Sequence, residues 1–232
     1  MCDGGGAVDQ APNLAVEELG QTSKPCPVLG EAIHQLQTSH DPQHQYLTKK
    51  AMIIYRGDGR GPDLTVELEG FDGFHSRDNP FITTSGESQR MVGGSKDCTL
   101  PTRYKGFMKV NFEAPQGMSK KDAMDRFCPT IYALFVPPGQ AIDTHQYLLD
   151  KRENGTLGQG SANVGSQEVT ALEVPLDHVL GYRTINTKDP GPYVGAIDLS
   201  DSQLEEMGLD HAQIEEFTKF KTIQSLQHTG EM

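Results

Sequence analysis

The stretch Ile53-Ile54-Tyr55-Arg56-Gly57-Asp58-Gly59-Arg60-Gly61-Pro62-Asp63 joins a short apolar run to alternating glycines and charges. Ala51–Tyr55 has the β-branched content and length of a buried strand. Arg56 falls at its end, and the glycines that follow predict a sharp bend. A guanidinium so placed is suited to face an anion, because its planar fork holds phosphate or carboxylate oxygens in pairs. Gly57, Gly59 and Gly61 allow backbone or ligand to come close. Asp58 can fix the arginine's orientation, and the alternative at this point is an Arg–Asp pair that only braces a turn.

Around this stretch the chain has 232 residues, a formal net charge of −12, 35% hydrophobic residues and no Trp. That length accommodates one lean core with additional segments. The acidic balance argues against tight nucleic-acid binding, which needs clustered Lys and Arg. No apolar run is long enough to span a membrane, so a soluble protein is expected. The start, MCDGGGAVDQAPN, has neither a basic nor an apolar segment, so no signal peptide is expected. Cys2, Cys26, Cys98 and Cys128 form no C-x-x-C pair, and His34, His40 and His44 have no neighbouring Cys. No metal site is expected from these spacings.

Composition divides the chain into a flexible leader over 1–48, a dense body over 49–187 and a helical C-terminal tail over 188–232. The leader is rich in Gln, Gly, Pro, Ser and His, with one short helix near Leu29–Leu36. In the body, 63–71 suits a strand or a short helix, and Asp72 to Pro101 is loop-like. Strands are predicted at 106–112, 129–136, 166–174 and 178–186. Ser119 caps a helix over 119–127. Residues 151–166 form a long polar loop, of the kind that is functional or disordered. In the tail, two short helices are split at Gly208, the second capped by Asp210. Many short strands with few helices make an α+β pattern.

Two blocks carry a family resemblance. Tyr55-Arg56-x-Asp58-x-Arg60-x-Pro62-Asp63 resembles the first block of the ADP-ribosylating toxins of the cholera, heat-labile enterotoxin and pertussis group. Gln167-Glu168-Val169-x-Ala171-Leu172, with Pro175, His178 and Gly181-Tyr182-Arg183, is similar to the catalytic-glutamate block of the enterotoxins. The resemblance covers roughly Lys49 to Ile185 in outline. It implies the ADP-ribosyltransferase fold, two packed and strongly twisted sheets with short flanking helices. It also implies an enzyme that cleaves the nicotinamide–ribose bond of NAD and passes ADP-ribose to a protein acceptor, a toxin or effector secreted or injected into another cell. By resemblance Glu168 is the catalytic carboxylate, Arg56 holds NAD, and Gly57, Asp58 and Arg60 support the cofactor side.

The sequence also departs from this family. Two residues before the catalytic glutamate the family carries Glu or Gln, the position that orients the acceptor, and here it is Ser166. A serine cannot act as a base there, which weighs against arginine as acceptor and affects NAD hydrolysis less. The family's middle Ser-Thr-Ser strand has two candidates. Thr83-Thr84-Ser85 matches by chemistry, whereas Lys109-Val110-Asn111 matches by position, placing Val110 and Asn111 on the cofactor side with a degenerate motif. The alternative implied is a catalytically retired member that binds a partner or an arginine-bearing peptide in the old cleft.

Other signals point to blander readings. Arg56-Gly57-Asp58 spells an integrin tripeptide, but it follows a buried-looking strand. Asn154-Gly155-Thr156 suits an Asn-Gly turn more than a glycan acceptor. The segment around 204–217 faintly suggests a ubiquitin-binding helical module, although an amphipathic helix that covers the core is the simpler reading.

Overall fold

The structure is a computed structural model that describes residues 46–71, 74–75, 90–99, 117–153, 167–171, 174–186 and 189–223. Its backbone is α+β, and every strand pair is antiparallel. The strands are β1 (Met52–Arg60), β2 (Gly70–Phe71), β3 (Phe74–His75), β4 (Arg90–Ser95), β5 (Phe127–Val136), β6 (Ala141–Ile142), β7 (Glu168–Ala171), β8 (Val174–Pro175), β9 (Val179–Asn186), β10 (Asp189–Pro190) and β11 (Val194–Gly195). The helices are α1 (Pro62–Glu67), α2 (Lys120–Asp125), α3 (Thr144–Glu153), α4 (Asp201–Glu206) and α5 (His211–Thr222). One nine-stranded sheet runs β10-β9-β5-β1-β4-β7-β6, with β11 on β9 and β3 on β4, and β2-β8 forms a separate two-stranded sheet.

The spine is β5. Ile131, Ala133 and Phe135 face one core, and Tyr132, Leu134 and Val136 face the other. A strand buried on both faces needs an unbroken apolar run, which residues 131–136 supply. β1 pairs with it from Met52↔Val136 to Arg60↔Phe127, with a register shift between Asp58 and Arg60. The predicted bend at Gly57–Gly61 is therefore corrected. The long neighbour β5 satisfies backbone donors and acceptors through Arg60, and the glycines accommodate a bulge rather than a turn. The turn into α1 follows at Gly61 and Pro62, with Pro62 in the first helical turn, where its missing N–H costs nothing.

On its other edge β1 meets β4 in register only at Tyr55↔Ser95, whereas β4 pairs with β7 from Val92↔Ala171 to Ser95↔Glu168. Among the described residues, the β1–β4 ladder is thus the shortest in the main sheet.

The C-terminal helices belong to the core of the body. Ile214, Phe217 and Phe220 recur on one face of α5 and pack with Ile53, Tyr55 and Leu180. Gln213 Oε1 accepts the Ile53 N–H at 2.8 Å. Arg183 closes the far end, its Nη1 donating to Ile223 O and its Nη2 to Lys221 O, both at 2.5 Å. A cation there satisfies carbonyls that the helix leaves unpaired. Both predicted N-caps are present, Ser119 on α2 and Asp210 on α5.

At the other end, the body begins before Lys49. The Tyr46 hydroxyl donates to Asp150 at 2.8 Å, and Leu47 bridges Ile142. Two loop expectations are corrected as well. β3 and β4 interrupt the predicted loop 72–101, and α3 extends to Glu153, into the predicted loop 151–166. Residues 63–71 resolve into α1 and β2. The predicted helix near Leu29–Leu36 and the strand 106–112 lie outside the described residues. Among the described residues, no helix is long and apolar enough to cross a membrane.

Candidate active site

β1 presents a charged knot. The Arg56 Nε donates to Asp58 Oδ2 at 2.9 Å, and the Arg60 Nε and backbone N–H donate to Asp58 Oδ1 at 3.3 and 3.0 Å. The side chains of Arg56, Asp58 and Arg60 are 11%, 2% and 5% exposed. Residues 56, 58 and 60 alternate along the strand and so share one face, and the register shift falls between Asp58 and Arg60. Burial alone would raise the Asp58 carboxyl, but Arg56 and Arg60 outweigh it and hold the group below the usual carboxylate range. Phe71 gives the cations a floor, with the Arg60 and Arg56 guanidinium carbons 4.8 and 5.7 Å from its ring centroid. The strand end is pinned by the Tyr132 hydroxyl, which donates to Arg60 O at 2.9 Å and accepts from Thr65 Oγ1 at 3.0 Å. Two guanidiniums share one carboxylate, so the knot keeps a net positive charge.

Arg56 also crosses the β1–β4 seam. Its Nη1 donates to Gly93 O at 2.8 Å. From the other side Glu168, the first residue of β7, reaches the same glycine: a Cβ placed on Gly93 would lie 3.4 Å from Glu168 Oε1. Arg56 and Glu168 therefore converge at Gly93. Glu168 accepts no hydrogen bond from the described residues. Burial raises its carboxyl above the usual range, and Arg56 only partly opposes that.

Of the residues singled out from sequence, the structure brings together Arg56, Asp58, Arg60 and Glu168. Gly57 lies on β1 opposite Ile131, within the strand that carries the knot. Ser166, Val110 and Asn111 lie outside the described residues, as does Thr83-Thr84-Ser85. The strand that actually lies between Arg56 and Glu168 is β4, with Gly93, Gly94 and Ser95. Sequence reasoning missed it, because Arg90-Met91-Val92-Gly93-Gly94-Ser95 contains one β-branched residue and two glycines, so propensity gives no signal. Gly94 is needed for close approach, since a Cβ there would lie 3.0 Å from three atoms of Ile54.

The entry to β7 also differs from simple alternation. Gln167 takes a left-handed φ of 47°, so the two-residue periodicity of the strand does not extend back through it. Its carbonyl accepts the Lys96 N–H at 3.1 Å, which ties β7 to β4 just beside Glu168.

The other residues of the glutamate block serve packing. His178 is buried edge-on to Phe135 at 5.5 Å, Tyr182 packs on Tyr132 at 6.0 Å, and Arg183 caps α5. Gly181 leaves room for the Tyr193 ring, whose hydroxyl oxygen a Cβ would meet at 2.4 Å. A cavity of about 260 Å³ lies apart from the site, bounded by Tyr193, Asp198, Phe217 and Lys221, and includes none of its residues.

No protein-family model matches this chain, and no curated protein matches it.

Proposed function

We propose that this protein is an NAD-consuming enzyme of the ADP-ribosyltransferase kind, a mono-ADP-ribosyltransferase or NAD glycohydrolase. Its acceptor would be a protein in a target cell, the chain serving as a toxin or effector. The observation that supports this reading is the meeting of Arg56 and Glu168 at Gly93, residues distant in sequence and drawn from the two blocks that resemble that family.

The chemistry suits these groups. In the NAD reaction the ribose–nicotinamide C–N bond breaks, its electron pair leaves with neutral nicotinamide, and positive charge develops on the ribose. A carboxylate placed against that charge lowers the barrier, as in glycoside hydrolysis. Glu168 is the residue for that role, and only its ionised form can play it; burial raises its carboxyl above the usual range, and Arg56 opposes that. The net positive Arg56–Asp58–Arg60 knot suits the pyrophosphate, with Asp58 holding Arg56 in one orientation. Bare backbone at Gly93 leaves space beside the carboxylate. The oxygen of water, or a nucleophile of the acceptor, then bonds to the ribose carbon and loses its proton.

One observation favours the second reading, a retired enzyme that binds a partner. Gly93, beside the Glu168 carboxylate, offers it no side-chain donor. A half-buried carboxylate without a hydrogen bond from the described residues also suits a cationic guest such as an arginine side chain.

Nicotinamide release from NAD by the purified chain, beside Glu168→Ala, separates the two. Release that the mutation abolishes supports the enzyme. No release, together with no NAD binding by calorimetry, removes it in favour of the binding protein.

A further inference from the structure

On the side of the β1–β4 seam where α5 packs, three ligand-bearing groups come together from distant parts of the chain. Asp97 and Cys98 lie in the turn after β4, and Glu216 lies on α5. Their ligand atoms all fall within 4.8 Å of one another. The geometry is braced from both ends. Glu216 Oε1 accepts the Cys98 N–H at 2.9 Å, and Asp97 Oδ1 accepts the Thr99 N–H and hydroxyl at 2.7 and 2.6 Å. Cys98 is fully buried, whereas the two acids are half-buried, so the cluster has an apolar floor and a solvent side.

A separate observation concerns Tyr55. It is 1% exposed, pairs with Ser95 at the start of the same turn, and its hydroxyl has no hydrogen-bond partner among the described residues. Tyr55 and Cys98 share one buried core cluster, and Cys98, Glu216, Tyr193 and Asp97 all lie near enough to act electrostatically on the hydroxyl. A buried hydroxyl without a partner costs stability, so a polar occupant of this space has a structural reason to be there.

We propose that Asp97, Cys98 and Glu216 form a binding site for one divalent ion of the zinc class, with the Tyr55 hydroxyl directed at the ion or its water. The donor set selects the ion. One thiolate with two carboxylates suits zinc, cobalt or a similar borderline metal, while calcium and magnesium take oxygen shells. On binding, the thiol proton goes to solvent and the sulfur becomes a thiolate ligand. Lys219 Nζ sits 3.2 Å from both Glu216 oxygens on a side chain 43% exposed, and turns to water when the ion arrives. The bound ion joins the turn after β4 to α5. It therefore braces from behind the strand that lies between Arg56 and Glu168.

The test uses the full chain, reduced and stripped with a chelator. Zinc titrated in calorimetry is expected to bind one ion per chain with release of about one proton. Cobalt is expected to give a thiolate-to-metal charge-transfer band. Cys98→Ala abolishes both signals. The near-isosteric Glu216→Gln keeps the fold by circular dichroism and weakens binding about 10- to 100-fold. Cys128→Ala leaves binding unchanged. No stoichiometric zinc uptake would leave only a buried water beside Tyr55 and overturn the proposal. Uptake that survives Cys98→Ala, as with histidines elsewhere in the chain, overturns it equally.

Discussion

The two sides of the β1–β4 seam handle buried charge in opposite ways. On β1, Asp58 is enclosed by two arginines and receives side-chain and backbone donors, so the charge is compensated in place. On β7, Glu168 is half-buried beside bare glycine backbone with no donor to its carboxylate among the described residues, and only the field of Arg56 to steady it. One carboxylate is compensated within the fold and the other is not, and an uncompensated one is the more reactive of the two.

The contrast is broken most severely on β1. Asp58→Ala removes the buried carboxylate that both guanidiniums bind, and a loss of about 3–5 kcal/mol is expected in urea unfolding. If Asp58→Ala unfolds no more easily than wild type, the knot is not a structural unit. Phe220→Ala is expected to cost about as much, roughly 3–5 kcal/mol, because α5 shares the core of β1 and β5. A cost near zero would return the C-terminal helices to the status of a tail.

Glu168→Ala should do the reverse of Asp58→Ala. Nicotinamide release falls by roughly 100-fold or more, while the denaturation midpoint holds or rises. Loss of both together would make Glu168 structural.

The glycines sharpen the comparison at a smaller scale. Gly94→Ala forces Ile54 to move and costs about 1–3 kcal/mol. Gly93→Ala meets only ordinary contact at Glu168 and is neutral, or stabilising by about 0.4–1 kcal/mol. Equal effects at the two positions, read from melting curves, would contradict the packing described.

The smallest effect is in the pH dependence, where the two acids have opposite signs. Asp58 has a lowered pKa in the folded state. Its contribution is present above the unfolded value of about 3.9 and is lost as pH falls through the folded value. Glu168 has a raised pKa, so the folded state holds its proton more tightly. Stability then rises slightly as pH falls from the folded value toward about 4.3. Glu168→Gln should erase the rise and leave the acid loss, as measured by unfolding at stepped pH.

Legibility from sequence followed the range of the interactions. The strand 129–136 and the caps Ser119 and Asp210 were readable because apolar runs and N-cap hydrogen bonds are local. The course of β1 through Gly57–Arg60 was not. Its extension is imposed by pairing with β5, and glycine propensity points the other way. β4 was invisible for the same reason. Its pairing with β7 and its position beside Glu168 come from contacts across the sheet. The involvement of residues 204–220 in the core also needed the partner face, since an amphipathic helix looks alike in a tail and in a core.

By itself, then, the sequence determined an α+β chain with a charged Arg-Gly-Asp-Gly-Arg strand end and a glutamate strand, because residue types and local spacing carry that much. Only the tertiary structure decided that Arg56 and Glu168 meet at Gly93, that Ser95 falls in register with Glu168, and that Asp97, Cys98 and Glu216 converge behind β4. Those outcomes depend on which strands become neighbours. That choice is made by burying two faces of one sheet at once, and no local stretch of sequence encodes it alone.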